Sequence, residues 1–300
     1  MDGILNVSKP SGPTSHDVVQ RIRGAAHTKR VGHAGTLDPI ATGVLIICLG
    51  NATRIVEYLM DWRKSYRATA VFGAETDTED ATGEIIREAD CSHLTREALE
   101  AVLPRFVGET LQTPPMVSAV HHEGQRLYEL ARAGKVVERA PRPVEIYSLS
   151  LVDFTLDAKP SATLDVECSK GTYIRTLCAD IGKALDCGAY MSALTRTAVG
   201  RFKAEDALSL EAIEEGPIQN YLISIDEALA NMPEVHISEE DEHRIANGVM
   251  LPVEALSRAE LPQIGNPVRI KSPSGLIAIG RLCLVQGRVM LKPDKVFGAQ

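Results

Sequence analysis

Asp38 is placed where a carboxylate can do chemistry. It lies in the middle of Gly32 to Leu45, G-H-A-G-T-L-D-P-I-A-T-G-V-L, a loop with three glycines and Pro39 that runs into the apolar strand candidate Val44 to Leu49. Pro39 biases Asp38 towards extended backbone, so a potential nucleophile is held in a narrow range just before a buried strand. For an isolated Asp-Pro the alternative is a plain turn opener. Arg175 begins the helix candidate Ile174 to Leu185, where a cation gains nothing from the helix dipole and so answers to a carboxylate, in a site or in a surface ion pair. Tyr66 falls on the buried face of the strand candidate Lys64 to Phe72, which alternates at Tyr66, Ala68, Ala70 and Phe72. Read alone, it is a core tyrosine whose hydroxyl needs a partner. His33, read alone, is a neutral histidine that satisfies loop backbone.

The strings around these residues go further. G-H-A-G-T-L-D-P followed by A-T-G resembles the signature loop of the TruB family of tRNA pseudouridine synthases, whose aspartate is the essential catalytic residue. Lys64-Ser65-Tyr66 is similar to the family's K-x-Y motif, and Gly171-Thr172-Tyr173-Ile174-Arg175 to its arginine-bearing motif, in the expected order. Gln112 to Ala119, with Arg126 to Arg132, resembles its RNA-clamping segment, so the match covers most of the first two-thirds of the chain.

The resemblance implies that Asp38, Tyr66 and Arg175 are catalytic, with Arg175 facing Asp38 and Tyr66 stacking on the extruded base. It implies substrate contacts from His33, Lys64, Gly35, Thr36, Arg30 and Tyr173, His33 helping to displace the target base. The implied fold is α+β: a pseudouridine synthase catalytic domain over residues 1–232, with a mixed, mainly antiparallel sheet flanked by helices, and a small PUA-like β-barrel RNA-binding domain over 233–300. Residues 113–141 would clamp the RNA. The implied substrate is tRNA, modified at uridine 55 of the T-loop in the T-arm, by a cytoplasmic monomer that requires no protein partner, cofactor or metal. One departure is His121, followed by His122, where the family commonly has lysine, which makes one phosphate contact dependent on pH.

The composition is that of a soluble globular protein, 44% hydrophobic and 24% charged over 300 residues, enough for one large domain and a small one. No apolar run approaches the ~18 to 20 residues of a membrane span, and Met1 to Pro10 lacks the pattern of a signal peptide. The six cysteines are scattered without zinc spacing and read as reduced, mostly buried thiols. Net charge is -8, yet residues 1–70 carry nine Lys/Arg against five Asp/Glu, and residues 243–300 carry eight against three. Since fields are screened over about 8 Å at physiological salt, RNA feels these local faces rather than the total. The acidic stretches, 71–100 and 204–242, read as solvated faces turned away from it. Within the first, Glu75 to Asp80 presents four carboxylates but lacks the glycine and terminal glutamate of a calcium loop, so it reads as an acidic, solvated turn.

Several elements must position the loop. Ile4 to Val7 is a strand candidate, broken by Lys9 to Pro13. Ser15 reads as the N-cap of a helix to Gly24, whose basic tail (Arg21, Arg23, Lys29, Arg30) offers phosphate contacts beside the loop. Further helices are expected over Thr53 to Met60, Thr95 to Leu103, Arg126 to Ala133, Leu210 to Glu215 and Ile225 to Ala230. Strands are expected over Val144 to Asp153, Thr163 to Cys168, Ala189 to Val199, Val268 to Lys271, Ile277 to Val285 and Arg288 to Leu291.

Pseudouridine formation detaches uracil at N1, turns it and rejoins it through C5, which calls for no redox equivalent, metal or nucleoside triphosphate. A desolvated carboxylate tends to protonate unless a cation holds it charged, and an arginine fork does this with a geometry that lysine lacks. Two rivals remain. An aspartate-dependent glycosidase would release the base, although glycoside hydrolysis ordinarily uses two carboxylates and the motifs offer one. A non-enzymatic tRNA-binding or tRNA-folding protein would use the same basic surfaces. The short N-terminus and absence of basic tails favour the stand-alone bacterial type over the relative that works in a guide-RNA particle.

Overall fold

The computed structural model describes residues 1–118, 121–122, 124–127, 130, 134–135, 137–256 and 261–297. The chain opens with β1 (Gly3–Lys9), α1 (Ser15–Ala25), β2 (Val31–His33) and β3 (Thr42–Leu49). There follow α2 (Val56–Met60), β4 (Lys64–Phe72), a hairpin of β5 (Ala74–Thr76) and β6 (Ile85–Glu88), α3 (Arg96–Val102) and β7 (Gly108–Gln112). A two-residue pair, β8 (His121–His122) with β9 (Gln125–Arg126), precedes the long hairpin of β10 (Arg142–Thr155) and β11 (Ser161–Cys168). Next come α4 (Ile174–Ala184), β12 (Ala189–Val199), β13 (Phe202–Lys203), β14 (Leu208–Ser209), α5 (Leu210–Glu215) and α6 (Ile225–Ala228).

Ten of these strands form one mixed sheet, ordered β14-β1-β3-β12-β4-β11-β10-β7, with β2 on β3 and β13 on β12. Within this sheet, among the described residues, only β1–β14 and β3–β12 run parallel, so the α+β, mainly antiparallel expectation agrees with the fold. β1 and β3 are buried almost throughout because both faces of the sheet are covered there, and β3 is a near-continuous apolar run. Leu5, Val7, Leu45 and Ile47 face one core, and Ile4, Val44, Ile46 and Cys48 the other. β4 and β11 alternate buried and open positions, since only one face is covered at their end. Gly43 permits the β3–β12 approach. Its φ is +97°, and a Cβ there would stand 2.3 Å from the Arg196 carbonyl oxygen.

After residue 232 a second sheet follows, ordered β15-β17-β18-β19-β16: β15 (Glu234–His236), β16 (Leu251–Pro252), β17 (Pro267–Ser272), β18 (Gly275–Val285) and β19 (Arg288–Val296), with α7 (Glu239–Ala246). It has a core of its own, including Val235, Ile245, Leu251, Val268 and Ile270. It also shares one with the main sheet: Leu276 and Ile279 belong to the cluster of Ile4, Ile46 and Ile55. Phe297 packs on that cluster beneath the Arg54 guanidinium, 5.7 Å from the ring centre, and Lys295 pairs with Glu57 at 2.8 Å. Buried Arg269 ties β17 back to the preceding segment through Asp226 at 2.6 Å and the Met232 carbonyl at 3.0 Å. Among the described residues no helix is long and apolar enough to cross a membrane.

The structure corrects several local expectations. The N-cap of α1 is Thr14, in a reciprocal capping box with Asp17, while Ser15 is buried and spends its hydroxyl elsewhere. Arg21 is not a free phosphate contact, because Glu214 of α5 takes its Nε and Nη2 at 2.6 Å each. Arg23 donates to the Val31 carbonyl at 3.0 Å. The 204–242 stretch is likewise not simply solvated, since Glu214 and Asp226 are partners of arginines. Arg126 lies in β9 rather than opening a helix. Leu127 and Leu130 are helical and buried, and the rest of that expected helix, with Tyr128 and Arg132, lies outside the described residues.

Candidate active site

The loop that carries Asp38 is fastened from several sides. Ser15 closes on Leu37 with two bonds, accepting from its N–H at 2.8 Å and donating to its carbonyl at 3.0 Å. The Gly12 N–H donates to the Pro39 carbonyl at 2.9 Å, and the Ala41 N–H to the Asp38 carbonyl at 3.0 Å. Lys9, fully buried at the end of β1, donates to the carbonyls of Pro39 at 3.2 Å and Ala41 at 2.7 Å. Fully buried Arg196 of β12 holds the near side, bonding the carbonyls of Gly35 at 3.1 Å, Thr36 at 3.3 Å and Val44 at 2.7 Å. An irregular loop survives inside a protein only if its backbone groups are paired, and two buried cations do much of that pairing here. Sequence reasoning missed both. Lys9 was part of a turn cluster and Arg196 part of a strand, although Arg196 occupies a buried position of β12's alternation, which was the available signal.

A cavity of about 270 Å³ opens beside this loop. It is at the lower edge of the roughly 300–1,000 Å³ of small-molecule sites, so it suits a single nucleotide rather than a duplex. It brings together Gly35, Thr36, Asp38, Lys64, Tyr66, Tyr173 and Arg175 from the loop, β4 and the start of α4. Arg175 is 3% exposed and meets Asp38 side-on, Nε to Oδ2 at 3.0 Å and Nη2 to Oδ1 at 3.4 Å. Its other donors reach the carbonyls of Thr78 at 3.1 Å and Val117 at 2.9 Å, and Nη1 lies 3.6 Å from Asp80. The guanidinium thus stands between two carboxylates.

Asp80 corrects the reading of Glu75 to Asp80 as a solvated turn. It is buried and accepts from the Thr78 hydroxyl at 2.8 Å and from the N–H and hydroxyl of Thr82 at 2.9 and 2.5 Å. Its neighbour Glu79 accepts from Thr176 of α4 at 2.6 Å, and burial pushes that carboxyl up. Counting carboxylates along the chain could not reveal that Arg175 and Thr176 face them from about a hundred residues away. Among the described residues no cluster fit for a metal is formed.

Asp38 keeps 35% of its side chain open through the cavity mouth, yet protein surrounds it closely enough that burial raises its pKa above the ordinary 3.8. Arg175 opposes the rise, Asp80 adds to it, and Lys9 opposes it weakly. Water at the mouth moderates the push, and a ligand that filled the cavity would strengthen it. Tyr66 is buried in the main core with one face on the cavity, and burial raises its phenol against the pull of Arg196. Lys64 is buried, with its ammonium bonded to the carbonyls of Met60 and Trp62, the latter at 2.5 Å, and burial pushes it down to about 8. Tyr173 is the N-cap residue of α4, and both its backbone groups are clasped by Gln112, at 2.7 and 2.9 Å.

Two expected contacts are not in the cavity lining. His33 ends β2, where burial and Arg196 push its imidazole down, so it is neutral at pH 7. Its Nδ1 is buried without a partner among the described residues. Arg30 is exposed, with Nε 3.3 Å from the Thr53 hydroxyl.

Two family models account for most of the chain. One, described as TruB family pseudouridylate synthase (N terminal domain), matches residues 23–174, and another, tRNA pseudouridylate synthase B C-terminal domain, matches residues 175–256. The chain belongs to the TruB family. Among similar TruB relatives, a protein named tRNA pseudouridine synthase B from Pelotomaculum thermopropionicum is 43% identical over 100% of this chain and 98% of its own length. Another of that name, from Symbiobacterium thermophilum, is 49% identical over 83% of each chain. Among solved structures, a Cbf5-Nop10-Gar1 complex contains a chain of TM-score 0.75 and 26% identity, covering 98% of this chain and 84% of that one. An H/ACA RNP bound to a substrate RNA containing 2'-deoxyuridine contains a similar chain, with TM-score 0.74 and 25% identity over 98% of this chain and 84% of that one.

Proposed function

We propose that this TruB chain isomerises uridine to pseudouridine in tRNA, at position 55 of the T-loop, with Asp38 as its catalytic carboxylate. The observation that carries the reading is the two-bond fork of Arg175 on Asp38 at the mouth of a nucleotide-sized cavity with Tyr66 on its wall. In the reaction the N1–C1' bond of uridine breaks and a C5–C1' bond forms. C5 loses its proton and N1 gains one, so nothing is oxidised or reduced. An ionised Asp38 serves the ribose end, with Arg175 keeping it charged as the cavity dries. Tyr66 stacks on the flipped base, whose extraction costs a few kcal/mol that stacking and loop contacts offset. Gly35, Thr36, Lys64 and Tyr173 frame the nucleotide, while His33 and Arg30 meet RNA outside the cavity. Residues 1–232 form the catalytic domain, with 113–141 as the clamp, and 233–300 form a PUA-like unit that contacts the tRNA body. The protein works in the cytoplasm as a monomer without a protein partner. The relatives named tRNA pseudouridine synthase B support tRNA as the substrate.

The test is to treat unmodified tRNA with purified protein and map pseudouridine. Asp38→Ala is expected to abolish the product while leaving tRNA affinity within roughly tenfold, about 1.4 kcal/mol. Substantial turnover by that variant overturns the assignment of Asp38. Release of free uracil by the wild type would establish the glycosidase instead.

A further inference from the structure

Among the described residues, the buried polar side-chain atoms of the cavity lining are paired with one exception. The carbonyls of Gly35 and Thr36 accept from Arg196, and the Lys64 ammonium bonds two carbonyls. The backbone of Tyr173 closes on Gln112, the Ser169 hydroxyl accepts from the Glu145 N–H at 2.9 Å, and the Thr172 hydroxyl donates to the Ser169 carbonyl at 3.0 Å. Ser118 is the exception. It is 6% exposed and lines the cavity, and its Oγ has no hydrogen-bond partner among the described residues. No other residue of the lining has such an orphaned buried atom among the described residues.

The segment before it is held by two arginines. The carbonyl of the preceding Val117 accepts from Arg175 Nη2, the nitrogen that also faces Asp38. Arg139 donates to the Pro114 carbonyl at 3.1 Å, so the segment that leads into Ser118 is held at two points. A hydroxyl offers one donor and two acceptor sites, and leaving it buried and unpaired is costly. A buried polar group fixed in a substrate cavity discriminates strongly for a ligand that pairs with it, because any other leaves it unpaired.

We propose that Ser118 is a further substrate-contacting residue, whose hydroxyl hydrogen-bonds a polar atom of the target nucleoside once the base is in the cavity. The inference rests on the proposed function and adds a residue to that site. Because no described residue pairs this hydroxyl in the protein alone, its removal relieves the free protein and penalises only the loaded one. Ser118→Ala is therefore expected to lower the single-turnover rate of pseudouridine formation at saturating tRNA by tenfold or more, with tRNA affinity within twofold and a thermal midpoint no lower than wild type. Ser118→Thr, which keeps a hydroxyl, is expected to be faster than Ser118→Ala.

A Ser118→Ala rate within twofold of wild type overturns the proposal. So does a rate loss accompanied by a lowered melting midpoint, or a folded Ser118→Thr no faster than Ser118→Ala, since either marks a packing role. The broader reading is judged separately, on the wild type and Asp38→Ala. If the wild type makes pseudouridine, Asp38→Ala does not and Ser118→Ala is normal, only the assignment of Ser118 fails.

Discussion

Replacing Arg175 by lysine keeps a positive charge and removes a planar fork. In the structure the fork spans both Asp38 oxygens, at 3.0 and 3.4 Å, while its remaining donors reach two carbonyls at 3.1 and 2.9 Å. An ammonium is a single point on a flexible stem and cannot reproduce that set. Losing one charge-assisted bond to Asp38 costs about 1.5–3 kcal/mol. If the loss falls on the reacting carboxylate, the chemical step slows by roughly 10- to 150-fold. The pH profile should change as well. Burial already raises the Asp38 carboxyl, and Arg175 is the main force opposing it. Weakening that opposition raises the pKa further, so a smaller fraction is ionised at any given acid pH and the acid limb moves upward. The assay is single-turnover release of tritium from C5-labelled uridine in tRNA across pH, with a thermal melt as the folding control. A near-normal rate with an unshifted acid limb in folded Arg175→Lys would falsify the role given to this pair.

Gly43→Ala should be among the most damaging changes in the chain, because it combines a φ of +97° with a Cβ 2.3 Å from the Arg196 carbonyl oxygen. A loss of several kcal/mol is expected, of the order of 4 or more, read as a lowered denaturant midpoint. Arg21→Ala should leave the salt dependence of tRNA binding unchanged, since Glu214 already occupies that guanidinium, whereas Arg30→Ala should remove roughly one unit of slope. Binding measured over a salt series distinguishes them. Lys9 is pushed down to about 8 by burial, so its charge beside Asp38 and its grip on the loop carbonyls weaken above that pH. Activity should fall on the alkaline side while stability does not. Between about 8 and the unfolded value of 10.5 the unfolded chain holds more protons, so the contribution of Lys9 to stability rises with pH there. Unfolding midpoints that drop in parallel with activity would contradict this.

What the sequence disclosed follows the range of the interactions involved. β4 and β12 were legible to the residue, β4 because its period-two burial is written in local order. So was α5, with Ser209 accepting from the Ala212 N–H at its N-terminus. Thr14 rather than Ser15 caps α1 because Ser15 is claimed by Leu37, a contact made across twenty-two positions. β2 was hidden in the glycine loop because three residues hold no pattern; it exists only through its ladder with β3. Asp80 was misjudged for a related reason. Of the four carboxylates in 75–80 only that of Asp80 is buried, held by Thr78 and Thr82 and faced by Arg175 from another element. Motif resemblance brought Asp38, Tyr66 and Arg175 onto one list, but it did not include Lys9 or Arg196, whose partners are carbonyl oxygens that carry no side-chain signature.

The apolar cluster that Leu276 and Ile279 share with Ile4, Ile46 and Ile55 makes the region after residue 232 a poor candidate for transplantation. A separable module ends where its contacts end, and here the contacts run through the seam, with Phe297 and Arg54 adding a second fastening. Severing the chain at that point would bare an oily surface on both pieces and invite aggregation. Under the proposed function, an RNA that touches both the small sheet and the Asp38 cavity meets two surfaces joined by that one apolar core.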